Sequence, residues 1–207
     1  MLLLLHIAAG FVALASGYLA ALIKISGLAH RWHVIAGRLF FAAMVVIFCT
    51  AIPVSLATQN HFLLLIAIFS FYLALSGWSY ARNRSGEPSL TDWGRAAGMV
   101  AVAIVMAGFG AFLLSRGNSN GITMLVFAGI GGGLGYRDLR IIRSGGVSGV
   151  ERIGRHLTMM LAGTIATTTA FLVVNVDFEP AYIVWLAPTV LVTPIIFVMN
   201  SRIRRSA

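Results

Sequence analysis

Apolar residues run through this chain in long blocks rather than in short alternations. Seven blocks are long enough for membrane helices, because about 20 mostly apolar residues cross a bilayer core of about 30 Å. Charged and turn-forming residues concentrate in the short segments between them. The pattern predicts an all-α membrane protein, a single bundle of seven transmembrane helices at about 2–23, 39–58, 62–80, 96–114, 121–136, 156–176 and 181–199.

The fifth block is unusual because its centre is rich in glycine: Gly129, Gly131, Gly132, Gly133 and Gly135. Such a run disfavours a helix in water. In lipid it is tolerated, because glycine lets neighbouring helix backbones approach closely. We therefore expect a transmembrane helix here that packs closely against its neighbours.

Composition agrees with a membrane protein. Of the 207 residues, 59% are hydrophobic and 10% are charged, whereas about a quarter of the residues in a soluble domain are charged. This balance excludes a soluble globule and a disordered chain. The single cysteine, Cys49, excludes an intrachain disulfide framework and reads as a small packing residue.

The cations predict how the chain is oriented. With seven spans, 14 of the 15 Lys and Arg residues fall on the side that holds the C terminus, and only Arg116 falls on the other. Positive residues stay in the cytoplasm, so the N terminus is predicted outside and the C terminus inside. The 14 are Lys24, Arg31 and Arg38; Arg82, Arg84 and Arg95; Arg137, Arg140, Arg143, Arg152 and Arg155; and Arg202, Arg204 and Arg205.

The formal net charge of +9 raises the question of nucleic-acid binding. The cations are spread over four segments rather than gathered in one domain, which argues against that function. Topology explains them, and some will contact anionic headgroups of the lipid bilayer. We therefore predict the bilayer, and not a nucleic acid, as the partner of these charges.

Histidines are the first candidates for chemistry, since an ionisable side chain at membrane depth is costly and suggests a function. The predicted topology places His6 and His61 in an outer layer. It places His30, His33 and His156 in an inner, cytoplasmic layer. Neutral imidazole is a good ligand for metals and haem iron, so either layer is a candidate cofactor site.

The inner layer is the better candidate, and a b-type haem is its first interpretation. His33 and His156 come from different helices at one depth, as a pair of haem ligands would. Arg38, Arg140 and Arg155 share that depth, and cations there would pair with the haem propionates. The predicted function is then a membrane-embedded cofactor protein for electron transfer or redox sensing.

A divalent metal is the second interpretation of the inner layer. His30 and His33 are three residues apart, so on a helical turn both can face one ion. Asp138 and His156 would complete an N/O site for zinc or another divalent metal. Water activated by that metal would make the protein a zinc-dependent membrane hydrolase.

A small-solute transporter or channel is an alternative function. The Gly-rich fifth span and the Thr-rich sixth span would line its pathway. A continuous polar tunnel would favour this function, whereas the spans contain almost no charge. The threonines of the sixth span are Thr158, Thr164, Thr167, Thr168 and Thr169.

Structural roles also fit these residues. Threonine hydroxyls in a span can bond the carbonyl four residues earlier. Arg38 and Arg140 with Asp138 would form an ion-pair network that ties the inner loops together. Histidines and arginines in short loops often reach water at the interface. The protein would then be a structural assembly subunit.

Three stretches resemble an uncharacterised group of bacterial multi-span membrane proteins. Residues 33–44 resemble a His-x-x-x-Gly-Arg signature followed by an aromatic-rich span, and residues 69–78 resemble the third span of that group. Residues 136–140 (Tyr-Arg-Asp-Leu-Arg), 145–146 (Gly-Gly) and 152–157 (Arg-Ile-Gly-Arg-His-Leu) are similar to its segment between the fifth and sixth spans.

The resemblance covers about residues 6–175 and implies a multi-pass protein of the bacterial inner membrane, with no settled activity. The sequence departs from the group after His156, where Leu157 and Thr158 replace an expected Trp. The matching positions all lie on the predicted cytoplasmic side: His33, Gly37, Arg38, Asp138, Arg140 and His156.

Overall fold

The computed structural model describes residues 1–205, and every regular element in that part of the chain is an α-helix. Six of the helices are long and apolar enough to cross a membrane. The all-α membrane class predicted from the apolar blocks is therefore confirmed. The helices are α1 (Leu2–Ile25), α2 (His30–Ala57), α3 (His61–Arg82), α4 (Leu90–Ser115), α5 (Asn120–Arg143), α6 (Gly149–Asn175) and α7 (Tyr182–Arg205).

The helix outside that group of six is α5. Its 24 residues equal α1 in length, but its second half is interrupted by glycines and by Arg137, Asp138, Arg140 and Arg143. Gly131 and Asp138 are nevertheless buried. Packing against the bundle, rather than an apolar surface all round, holds α5 in place.

The helices continue beyond several of the apolar blocks at the end that carries the cations. α2 begins at His30 rather than at residue 39, α4 at Leu90 rather than 96, and α6 at Gly149 rather than 156. Hydropathy detects only the apolar part of a helix, whereas backbone hydrogen bonding continues into polar residues. His30, His33 and Arg155 therefore lie on helices, where their directions are fixed.

Consecutive helices are joined by segments of three to seven residues, which makes neighbours run antiparallel. We call the end of the bundle where α1, α3, α5 and α7 begin the first end. The second end is where those four helices finish and where α2, α4 and α6 begin. All the inner-layer residues predicted from the sequence lie toward the second end.

α3 and α6 form the centre of the bundle. α3 packs against α2, α4, α5 and α6, while α6 also packs against α1 and α7. Gly77 of α3 allows this central contact, because a Cβ atom there would lie 2.6 Å from Met160 Sδ and 3.2 Å from Met160 N. Met159 and Leu73 are buried beside it.

The α4–α5 pair is the most extensive helix contact in the bundle. A Cβ atom at Gly121 would lie 2.5 Å from the carbonyl oxygen of Gly110, and one at Gly135 would lie 3.2 Å from that of Ala96. Part of the glycine pattern of the fifth span therefore permits close backbone approach, as expected.

The connection between α3 and α4 is fixed by hydrogen bonds at the second end. The Ser89 N–H donates to Asp92 Oδ2 at 2.9 Å, and the Asp92 N–H donates to Ser89 Oγ at 3.3 Å, forming a capping box. Ser79 of α3 donates to Asp92 Oδ1 at 2.9 Å, and Arg95 pairs with the same oxygen. These contacts hold the end of α3, and with it Tyr80.

Candidate functional site

A large cavity lies between α5 and α6. Within residues 1–205, no Cα atom of α5 comes within 8 Å of a Cα atom of α6, although the two helices are consecutive. The cavity has a volume of about 1970 Å³, whereas pockets for drug-sized ligands measure about 300 to 1,000 Å³. Every helix except α4 contributes to its walls.

The cavity extends along the length of the bundle. Leu63 at the start of α3, Asn175 at the end of α6 and Trp185 at the start of α7 line it near the first end. Arg137 of α5 and Arg204 of α7 line it near the second end. The cavity therefore borders residues near both ends of the bundle.

Glycines of α5 and threonines of α6 line the same cavity, as predicted for these two helices. Gly129 and Gly133 face it, and a Cβ atom at either would meet no heavy atom within 4 Å. Thr158 and Thr167 also line it, and their hydroxyls donate to the carbonyls of residues 154 and 164 at 2.8 and 2.9 Å. The threonine bonding predicted for a structural role is therefore present as well.

Most of the wall is apolar, with side chains such as Phe69, Phe127 and Ile165. Thr169 is an exception near the first end, where its Oγ1 atom is buried and has no hydrogen-bond partner among the described residues. The cavity is therefore not the continuous polar tunnel that would favour a channel. Such walls suit a hydrocarbon body better than a hydrated ion.

A buried ion pair crosses the gap between α5 and α6. Asp138 of α5 has no exposed surface, and Arg155 of α6 is 2% exposed. Arg155 Nη2 donates to Asp138 Oδ1 in a short contact. The hydroxyls of Tyr72 and Tyr80 on α3 donate to Oδ2 and Oδ1 of the same carboxylate, each at 2.7 Å. Asp138 thus has three donors around it.

Arg155 is less completely bonded than its partner. Its Nε and Nη1 atoms are buried and have no hydrogen-bond partner in the described residues. The guanidinium lies over the Tyr80 ring, with Cζ 5.5 Å from the ring centroid. Arg155 also lines the cavity. The two unused donors of Arg155 at the cavity wall are unfavourable as they stand, because unpaired buried donors cost free energy.

The structure brings His33 and His156 together toward the second end. Their ring centroids are 6.3 Å apart and their planes are nearly perpendicular, at 87°. His33 Nδ1 lies 3.0 Å from the Ala20 carbonyl oxygen, and His156 Nδ1 lies 2.8 Å from that of Gly77. Since a carbonyl only accepts, Nδ1 carries a proton in both rings and Nε2 is left for another partner.

The ligands predicted for a divalent metal are not assembled. His30 lies near His33, with 6.0 Å between ring centroids, but the carboxylate of Asp138 is bonded to two tyrosines and Arg155. Residues 1–205 contain no group of three or more His, Cys, Asp or Glu placed to hold a metal ion. The set His30, His33, Asp138 and His156 therefore lacks its carboxylate, on which the hydrolase alternative depended.

The ion-pair network predicted for Arg38, Arg140 and Asp138 is also replaced. Arg38 and Arg140 are exposed on α2 and α5, and Arg155 is the cation that pairs with Asp138. Arg140 is two residues from Asp138 on one helix, so the two side chains point in different directions. The predicted haem contacts of Arg38 and Arg140 stay a prediction.

Tyr72, Tyr80 and the pairing of Arg155 with Asp138 are the features that sequence reasoning missed. Tyr72 and Tyr80 are separated by eight residues, with Ser76 midway, so they share one face of α3. These polar residues on one face of α3, together with an aspartate on the glycine-rich α5, were the sequence features that could have indicated a buried polar contact. The long reach of Arg155 across a gap was not visible in the sequence.

Comparison with protein-family models, curated proteins and solved structures finds no match for this chain. The resemblance to a bacterial membrane-protein group therefore stays a prediction. The features of the molecule that bear on its function are the cavity, the ion pair that borders it and the neighbouring histidine pair.

Proposed function

We propose that this protein is a carrier for a small amphipathic solute, which it binds in the cavity between α5 and α6. The observation that carries the proposal is the cavity of about 1970 Å³ that runs along the bundle between two helices whose backbones do not meet. Its apolar walls accommodate a hydrocarbon body, and a few polar groups would orient the solute.

The topology that goes with this function is seven crossings of the bacterial inner membrane, with the N terminus outside. α5 crosses with the others, because 24 helical residues extend about 36 Å. Seven crossings leave Arg116 as the one cation outside and keep the other 14 inside. The second end of the bundle is then cytoplasmic.

Filling the cavity tests the proposal. Gly129→Phe with Gly133→Phe adds two rings to the open face of α5, where a Cβ atom meets nothing within 4 Å. The matched control is Gly94→Phe with Gly98→Phe on α4, which has the same spacing and equally open surroundings but lies outside the cavity wall.

The measurement is native mass spectrometry of detergent-purified protein with a long-chain alcohol and the fatty acid of equal length. We expect the α5 pair to weaken binding of both probes by about tenfold, the loss of about 1.4 kcal/mol. The α4 pair should bind like the wild type. Unchanged binding in a folded α5 variant would overturn the carrier function.

A cofactor function is a second candidate, and the orientation of the histidine pair favours it. A metal-bound histidine commonly donates a hydrogen bond from its other ring N–H to a carbonyl, as the Nδ1–H does in both His33 and His156. One ion bound at about 2.0 to 2.1 Å by each ring places the ring centroids about 6 Å apart or less, near the observed 6.3 Å. The large cavity does not include these residues, which favours one ion over a haem.

An absorption spectrum and elemental analysis of the purified protein test this second candidate. We expect a stoichiometric metal or a Soret band in the wild type, lost in both His33→Ala and His156→Ala and kept in His61→Ala, an exposed histidine at the first end. A metal-free, colourless wild type after exposure to transition metals would leave these histidines as structural groups. The structural-subunit alternative would then gain support.

A further inference from the structure

We infer that the solute carries an anionic group, a carboxylate or a phosphate, and that Arg155 binds this group. The inference rests on the proposed carrier function and specifies its substrate class. Arg155 is the one buried cation in the cavity wall among residues 1–205, since Arg137 and Arg204 are exposed. An anion would occupy donors that the protein itself leaves unused.

The bonding of Arg155, which lines the cavity, leaves donors for a further acceptor. One of its three nitrogens pairs with Asp138, whereas Nε and Nη1 have no partner. Hydrogen bonds from a guanidinium to an anionic oxygen are among the strongest in proteins. The apolar surroundings strengthen them further, because little water competes there. A solute without an acceptor group would leave these two donors unpaired.

The two tyrosines allow Arg155 to be shared between Asp138 and a ligand. Tyr72 and Tyr80 each donate to the carboxylate at 2.7 Å. Asp138 would therefore keep two hydrogen bonds while Arg155 turned part of its guanidinium toward the cavity. The tyrosines are positioning residues in this scheme, since they act on the ligand only through the ion pair.

Charge at the second end favours entry of an anion. Arg137 and Arg204 line the cavity there, and Glu151 is the acidic side chain in the same part of the wall. Asn200 and Thr158 add polar groups, with Asn200 Nδ2 donating to Thr158 Oγ1 at 3.0 Å. The positive excess would draw an anionic headgroup toward this end, while the hydrocarbon part lies along the apolar walls.

The experiment compares probes that differ only in charge. The fatty acid and the alcohol of equal length are titrated by native mass spectrometry, and inorganic phosphate is added as a competitor for the fatty acid. We expect the wild type to bind the acid at least about tenfold more tightly, as a hydrogen-bonded charge would produce. Inorganic phosphate at equal concentration should not displace the acid; displacement would assign the site to a free anion and overturn the inference.

Two variants separate recognition from folding. Arg155→Lys keeps the charge beside Asp138 but loses donors, and should reduce the preference for the acid several-fold. Asp138→Asn with Arg155→Gln removes both charges together and should bind the two probes alike. Arg143→Lys, an exposed position outside the cavity wall, is the matched control and should retain the wild-type preference.

The outcomes distinguish this inference from the carrier function. If the wild type binds acid and alcohol equally, and the phenylalanines at 129 and 133 weaken both, the carrier function stands and the inference fails. The inference also fails if the folded double variant keeps the preference for the acid. If the phenylalanines weaken neither probe, the carrier function fails and the inference fails with it.

Discussion

The two faces of α5 use glycine in opposite ways. Toward α4, Gly121 and Gly135 bring two backbones so close that a Cβ atom would meet a carbonyl oxygen at 2.5 or 3.2 Å. Toward α6, Gly129 and Gly133 border a cavity in which a Cβ atom would meet nothing within 4 Å. One face therefore forms a tight interface, and the other keeps a space open.

The comparison shows that glycine in a membrane helix has no single structural meaning. On the α4 side, contact between backbones replaces side-chain packing. On the α6 side, one buried ion pair bridges a gap that the backbones do not close. Four substitutions test this difference.

Removing one charge of the buried ion pair should have the largest effect on stability. Asp138→Ala leaves Arg155 as an uncompensated buried cation, which should lower the free energy of unfolding by about 3 to 5 kcal/mol. Denaturation in mixed micelles would measure the loss. Asp138→Asn with Arg155→Gln should recover part of it, because neither charge remains; a double variant as unstable as Asp138→Ala would contradict this explanation.

The tight face of α5 should respond next. Gly121→Ala places a Cβ atom 2.5 Å from the Gly110 carbonyl oxygen and 2.9 Å from Leu114 N. Because these obstacles are backbone atoms, the helices must separate, and we expect the free energy of unfolding to fall by about 3 kcal/mol, the upper part of the range for overpacking. A thermal midpoint equal to that of the wild type would show that α4 and α5 are less closely packed than described.

Removing the Tyr72 hydroxyl should have a smaller effect on the free energy of unfolding. Tyr72→Phe removes the 2.7 Å donor to Asp138 Oδ2 and should cost about 2 kcal/mol, as expected for a hydrogen bond to a charged group. Unfolding in mixed micelles would again be the measurement. The double-mutant cycle of Tyr72→Phe with Asp138→Asn should show coupling, whereas simple additivity would mean that the hydroxyl does not support the carboxylate.

The open face of α5 should tolerate the same change that disrupts the tight face. Gly133→Ala meets no neighbour, so its free energy of unfolding should stay within about 0.5 kcal/mol of the wild type. Comparing the stabilities of Gly133→Ala and Gly121→Ala distinguishes the two faces of α5. Equal destabilisation of both variants would remove the distinction between interface and cavity.

Much of the fold could be predicted from hydropathy, because long apolar segments avoid water and therefore mark the helices. Each apolar block corresponds to one helix, and the histidines and cations assigned to the inner layer lie toward the second end. His33 and His156 lie beside each other, with ring centroids 6.3 Å apart, while the cofactor predicted for them stays a prediction. The metal set was wrong in its carboxylate, because Asp138 faces Tyr72 and Tyr80 rather than the histidines.

The predicted partner of Asp138 failed for a geometric reason. Arg140 is near it in sequence, but residues two apart on a helix do not face each other. Arg155 is 17 residues away and lies on another helix. A pattern of charges along the chain does not reveal a contact of this kind, since it depends on the distance and rotation between α5 and α6.

The sequence by itself determined that this is a helical membrane protein, because only helices bury every backbone polar group within apolar segments of this length. It also determined which end collects the cations. Tertiary structure alone decided that α5 meets α4 and stands apart from α6, that the gap becomes a cavity, and that Arg155 reaches across it. Those outcomes depend on how helix surfaces fit together, and neighbours in space are not neighbours in the chain.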